Sequence, residues 1–265
     1  MKKLLGLSDL SRRDVHDIWD LVVRPPVQLS GTVAWSFEGD GIRTRTTFIE
    51  AFRQLGLAFT ELPNLLKTGE RVRDLAGYLD PLFEMYVIRE SNHLRLAEFA
   101  GATCRPVINA MSSEAHPCEV LTDAYFVHSR LVPLERARIC LWGPPTNVLR
   151  SWHELARVLG LNVMHVCSAE FHESAGGVLF TEEPPLHADV VITDAWPTDA
   201  QGQGWSLTER HLAKMGWPTL LPTPPFTIGR ELSVDPLTYS GFAGYHQKEL
   251  LVPVQMAILR YVAAA

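Results

Sequence analysis

Short apolar runs rich in valine and isoleucine alternate along this chain with stretches of helical periodicity, and no other feature of the sequence limits the fold so strongly. Residues 32–37 read as a buried strand. A polar, glycine-containing turn follows, and helical spacing resumes at Thr47 with Phe48, Ala51, Phe52 and Leu55 before stopping at Gly56. The unit then recurs. Strands are expected at 57–60, 85–88 (ending at Arg89) and 106–110, with helices at 72–79, 94–100 and 118–130 between and after them. A second run has strands at 139–142, 162–166, 189–193 and 219–221, and a helix at 148–159 closed by Gly160. A last helix covers 250–262, kinked or begun afresh at Pro253. Ahead of all these, Ser11 can cap a helix with Asp14 as the acidic half of a capping box, and Val15, Ile18, Trp19 and Val22 form its apolar face. Alternation of this kind implies an α/β fold with parallel sheets, whose ligands gather at the carboxyl ends of the strands. The pattern is interrupted at residues 131–135, which places a domain boundary near 133.

The chain's 265 residues suit two domains of about 130 residues each. Its formal charge of −6 argues against general nucleic-acid binding, so any anion must be held by a local cluster of positive groups. No apolar run approaches the ~18 residues of a membrane span. The start carries Lys2 and Lys3 but turns polar at Ser8-Asp9 without an adequate apolar stretch, so the expected location is cytoplasmic. Cys104, Cys118, Cys140 and Cys167 form no CxxC pair and are expected as free thiols in apolar surroundings, with neither metal nor cofactor.

The stretch from Phe37 to Phe48 follows a strand and opens a helix, where unpaired amides and the helix dipole favour an anion. Arg43 and Arg45 add forked donors suited to phosphate, and Thr44 and Thr46 add hydroxyls. By composition alone the same residues also fit a solvated basic helix start.

Phe37, Glu38, Arg43, Thr44, Arg45 and Phe48 fall on the phosphate loop of the aspartate and ornithine carbamoyltransferases, and the chain resembles that family along essentially its whole length. Asp9-Leu10-Ser11, Arg89 at a strand end, Pro106-Val107-Ile108-Asn109 and His116-Pro117-Cys118-Glu119 follow at the family's intervals. The resemblance implies two Rossmann-like domains, 1–133 for carbamoyl phosphate and 134–265 for an amino acid, with about 248–265 returning to the first domain. It implies carbamoyl transfer to an amine by placed donors without a covalent intermediate, in a homotrimer. Arg43, Arg89 and His116 would act on the donor, with Gly41, Ile42, Thr44, Glu119 and Lys67 completing its site. Arg45 could instead brace the loop through Glu38 or Glu50. Gly143–Trp152 and Val190–Trp196 resemble the ornithine-type acceptor motifs, making Asn147, Asp194, Thr198 and Leu221 the acceptor-binding positions.

Several departures fall inside this pattern. Gly41 and Ile42 stand where the family has Ser-Thr, Glu119 replaces a glutamine, and Leu220 replaces a thiol. Leu251 stands where ornithine-type enzymes carry an arginine, and Thr68 occupies a basic position in the loop that reaches a neighbouring subunit. A carboxylate at 119 would repel phosphate unless protonated or bonded. The expected function is therefore a divergent carbamoyltransferase moving a carbamoyl or related group onto an ornithine-type amino acid. A member that binds a ligand or partner without catalysis, and an ordinary ornithine carbamoyltransferase, remain open.

Overall fold

The computed structural model describes residues 2–39, 41–196 and 205–264, which divide into two compact units. The first comprises Met1–Leu121 and Leu250–Ala265, the second Thr122–Glu249.

In the first unit the strands are β1 (Lys3–Leu4), β2 (Thr32–Ser36), β3 (Ala58–Glu61), β4 (Met85–Arg89) and β5 (Val107–Met111). They form one parallel sheet in the order β1-β5-β4-β2-β3. The connecting helices are α1 (Arg12–Val23), α2 (Ile42–Gln54), α3 (Val72–Leu79), α4 (His93–Ala102) and the start of α5 (Pro117–Phe126). Successive strand residues feed opposite layers, as the pleat requires. Ala34 joins the cluster of Leu75, Ala76, Leu96 and Phe99 from α3 and α4. Its neighbour Trp35 faces α2, with ring centroids 5.4 Å from Phe48 and 6.2 Å from Phe52.

The second unit holds β6 (Ile139–Trp142), α6 (Asn147–Leu159), β7 (Val163–Val166), β8 (Val178–Thr181), β9 (Val190–Thr193), α7 (Glu209–Lys214), β10 (Thr219–Pro222) and α8 (Gly244–Lys248). Its sheet is also wholly parallel, in the order β10-β9-β6-β7-β8.

Each sheet reverses its direction of winding once, between β2 and β4 in the first and between β6 and β9 in the second. At such a point the loops leaving the two central strands diverge to opposite faces, and a crevice opens at their carboxyl ends.

α9 (Leu251–Ala263) closes the chain and packs against α1 and α2. Pro253 is its third residue, where an amide has no intrahelical partner to lose, so the helix begins afresh and is not kinked. Gln255 Nε2 donates to Thr47 Oγ1 at 3.0 Å, tying this helix to α2.

Three expectations need correction. α2 starts at Ile42, five residues before the apolar period does, because its first turn is largely exposed and buries nothing that a period could report. β8, a half-buried edge strand, and the short α7 carry too little apolar pattern to be read. Cys104 is exposed, with its amide and thiol both bonded to Asp80, while the other three thiols are buried.

The predicted cap of α1 is present: Ser11 Oγ accepts from Asp14 N at 3.2 Å and Asp14 Oδ2 accepts from Ser11 N at 2.8 Å. A Ser11→Ala variant should lose about 1 kcal/mol in urea unfolding. An unchanged midpoint would mean that packing against α9 alone holds α1.

Candidate functional site

In the first unit the crevice is built from the β2–α2 and β4–α4 connections. Gly41, the N-cap of α2, has φ +37°, and a Cβ placed on it would lie 3.3 Å from Arg89 Nε. Backbone therefore runs directly over the Arg89 guanidinium, which accounts for a glycine at this point. The first intrahelical bond among the described residues is Arg45 N to Gly41 O, and the amides of Ile42, Arg43 and Thr44 lie ahead of it at the helix start, where such donors favour an anion. Arg89 Nη1 donates to Thr44 Oγ1 at 3.1 Å. Burial lowers the pKa of Arg89, the positive charge of Arg43 lowers it further, and Glu38 offsets part of the shift. Two guanidinium groups crowded at a helix N-terminus favour an anion between them.

The other residues expected at the donor site fall in two groups. His116, buried, precedes α5 and its carbonyl accepts from Val120 N; Glu119, also buried, lies in the first turn of that helix. They follow β5, the neighbour of β4, where Arg89 is in register with Met111. Asn109 holds this turn by donating to Leu5 O at 2.8 Å and Ser112 Oγ at 3.2 Å, a bracing role that the motif alone did not reveal. Ile42 is 73% exposed and directs an apolar side chain to solvent.

Lys67 is occupied differently from expectation. Its ammonium lies 2.5 Å from Oε1 of buried Glu90 and 3.2 Å from Glu38 Oε1, and Glu38 Oε2 accepts from Ser91 N at 2.7 Å. These contacts raise the Lys67 pKa, through Glu90 first, and lower that of Glu38, through the Ser91 amide first. The triad ties the loop after β2 to the loop after β4 and so sets the width of the crevice. Arg45 does brace the loop, but through Glu61 rather than Glu38 or Glu50. Its fork meets both Glu61 oxygens at 3.1 and 2.6 Å while its guanidinium sits 4.4 Å over the Phe37 ring. The reason is register: Glu61 lies opposite Trp35, beside the start of this loop.

In the second unit β6 and β9 are neighbours, with Trp142 in register with Thr193. Asn147 opens α6 on one side of the reversal, its Oδ1 accepting from Val148 N at 2.9 Å. Asp194, 7% exposed, follows β9 on the other side. Between them Gly143 has φ +108°, and a Cβ there would meet Trp196 Nε1 at 2.3 Å. Leu221 lies within β10, opposite Ile192, and is 3% exposed. Thr198 lies outside the described residues. Among the described residues no cluster of three or more His, Cys, Asp or Glu side chains is placed to hold a metal ion, and no helix is long and apolar enough to cross a membrane.

The loop that leaves β6 rests on a buried histidine pair that the sequence did not announce. Gly143 O accepts a hydrogen bond from His165 Nε2 at 2.7 Å, which leaves His165 Nδ1 to accept from His153 Nε2 at 2.8 Å. Burial pushes His165 down to about 4 and His153 down to about 3, so both stay neutral. One histidine comes from a strand and the other from a helix, and no spacing rule joins them.

Residues 2–129 match the family model described as "Aspartate/ornithine carbamoyltransferase, carbamoyl-P binding domain". The chain is 29% identical over 176 residues to the ornithine carbamoyltransferase of Caulobacter vibrioides, covering 60% of this chain and 57% of that protein. It is 29% identical over 225 residues to the Aquifex aeolicus ornithine carbamoyltransferase, covering 70% and 74%. The crystal structure of ornithine carbamoyltransferase from Thermus thermophilus superposes with a TM-score of 0.88 at 25% identity, covering 99% of both chains. That from Burkholderia thailandensis gives 0.90 at 21% identity over 99% and 98%, a likeness of fold.

Because the folded values of the histidine pair lie below the ordinary 6.5, the stability it contributes is complete above pH 6.5 and is lost as pH falls toward 4. Urea unfolding across that window should show the decline, and His153→Leu should flatten it. An unaltered slope in the variant would place the proton uptake elsewhere.

Proposed function

Because the chain belongs to the aspartate/ornithine carbamoyltransferase family, we propose that it transfers a carbamoyl or closely related group from a phosphorylated donor to the amine of an ornithine-type amino acid, through a donor site altered from the family pattern. The observation that carries this reading is the gathering of Arg43, Thr44 and Arg89 under the Gly41 turn, at the point where the first sheet reverses.

The chemistry asks little of the protein beyond placement. The neutral amine nitrogen attacks the donor carbonyl carbon, a C–N bond forms, and negative charge collects on the carbonyl oxygen. Collapse breaks the C–O bond to phosphate, which leaves with the electron pair, and the nitrogen loses its extra proton. Arg89 and His116 would stabilise the oxyanion, while Arg43, Thr44 and the α2 amides would take the charge of the departing phosphate. Asp194 would hold the acceptor's α-ammonium and Asn147 would meet its other α-substituents, with Thr198 and Leu221 completing that site. The same reading carries small-molecule substrates only, a homotrimer and a cytoplasmic location.

The donor side departs from the family in ways that geometry sharpens. Glu119 is a buried carboxylate in the first turn of α5, where the family pattern has a neutral glutamine. Ile42 and buried Leu251 supply no hydrogen bond where the family has polar or charged groups. A binding protein without turnover is the second reading, and Glu119 is the observation that favours it.

Titration calorimetry with carbamoyl phosphate, followed by a citrulline assay with ornithine, separates these. Micromolar binding with product formation supports the transferase. Binding without product supports the second reading, and no binding at all removes carbamoyl phosphate as the donor. Arg89→Gln should weaken donor binding by about 10- to 100-fold, the worth of a charge-assisted contact. Glu119→Gln should strengthen it by about tenfold; unchanged or reduced affinity would show that residue 119 does not face the donor.

A further inference from the structure

The segment leaving β9 carries Asp194 and then Trp196, and beyond the strand its backbone is held by a side chain from a distant loop. Glu231 Oε1 accepts from Trp196 N at 2.9 Å, and Oε2 accepts from Thr227 N at 2.7 Å. Glu231 is 1% exposed, so these bonds are shielded from water. Arg230 Nε lies 3.8 Å from Oε1 and supplies partial charge compensation from a more exposed position.

The backbone of the same residue does related work. Glu231 O accepts from Leu207 N and Ser233 N donates to Leu207 O, both at 2.9 Å, while Ser206 Oγ donates to Arg230 O. Residues 230–231 thus hold Trp196 through a carboxylate and residues 206–207 through main-chain bonds. A buried carboxylate is costly to retain unless both oxygens are satisfied. Here each oxygen serves one backbone amide, and the two amides belong to the loops that leave β9 and β10. An apolar side chain of equal volume would fill the space and fix neither loop.

We infer that Glu231 is a positioning residue of the acceptor site: its carboxylate sets the path of the chain that presents Asp194, two residues before the amide it holds. The inference rests on the assignment of Asp194 to the acceptor's ammonium. It adds a requirement absent from that assignment, namely that acceptor affinity depends on a carboxylate with no substrate contact of its own.

The test uses the full-length protein and the variant Glu231→Gln, which keeps the shape but lays an NH₂ group against one of the two amides. Amide hydrogen exchange without ligand should quicken at Trp196 and Thr227 by about tenfold or more, with β10 unchanged. Unchanged exchange at those amides overturns the inference. In steady-state assays the KM for ornithine should rise by about tenfold while the carbamoyl phosphate KM and kcat at saturating ornithine stay within about twofold. Faster exchange with an unchanged ornithine KM would make Glu231 merely structural and also overturns it. Should the enzyme not turn over, the ornithine Kd from calorimetry replaces KM. Asp194→Asn separates the two levels: if it leaves ornithine affinity intact, the Asp194 assignment fails and the inference fails with it. If Asp194→Asn abolishes affinity and Glu231→Gln does not, only the inference fails.

Discussion

Everything functional in this chain depends on a topological constraint: a wholly parallel sheet that winds both ways from its centre cannot cover the gap between its two central strands. The helices that follow β2 and β4 pack on opposite faces, and those that follow β6 and β9 do likewise, so each sheet opens a crevice at its reversal. Buried polar groups elsewhere must be satisfied internally, whereas at the reversal they can meet a ligand. That is why Arg89, Asn147 and Asp194, all at strand or helix ends, sit beside the two reversals.

Electrostatics then divides labour inside the first unit. Among the described residues no carboxylate forms an ion pair with Arg43 or Arg89, and burial makes the charge on Arg89 costly until an anion arrives. Nearby cations are spent on structure: Arg45 on Glu61, and Lys67 on Glu38 and Glu90. A buried Glu90 without Lys67 would be an uncompensated charge, so the pairing holds the two loops together. The second unit uses neutral chemistry to the same end. There a chain of two uncharged imidazoles supports the Gly143 carbonyl in the loop that leaves β6.

How much was legible beforehand follows from what each signal reports. Buried strands announced themselves because both faces are apolar, and the capping box at Ser11 and Asp14 is local, so both could be placed within a residue or two. Apolar periodicity records burial and so misses the start of α2, whose first turn is mostly exposed. A local motif shows the position of Lys67, while the carboxylates that engage it are 23 and 29 residues away.

The sequence by itself determined the α/β class, the parallel sheets, the resemblance to a family, and the residue types that face the two reversals, since these rest on local periodicity and contiguous motifs. Only the tertiary structure decided which cation meets which anion, that Asn109 and Glu231 brace loops, and that His153 and His165 share a proton-ordered chain. Such pairings join residues far apart in sequence, and their energy depends on burial and direction, which a linear pattern does not carry.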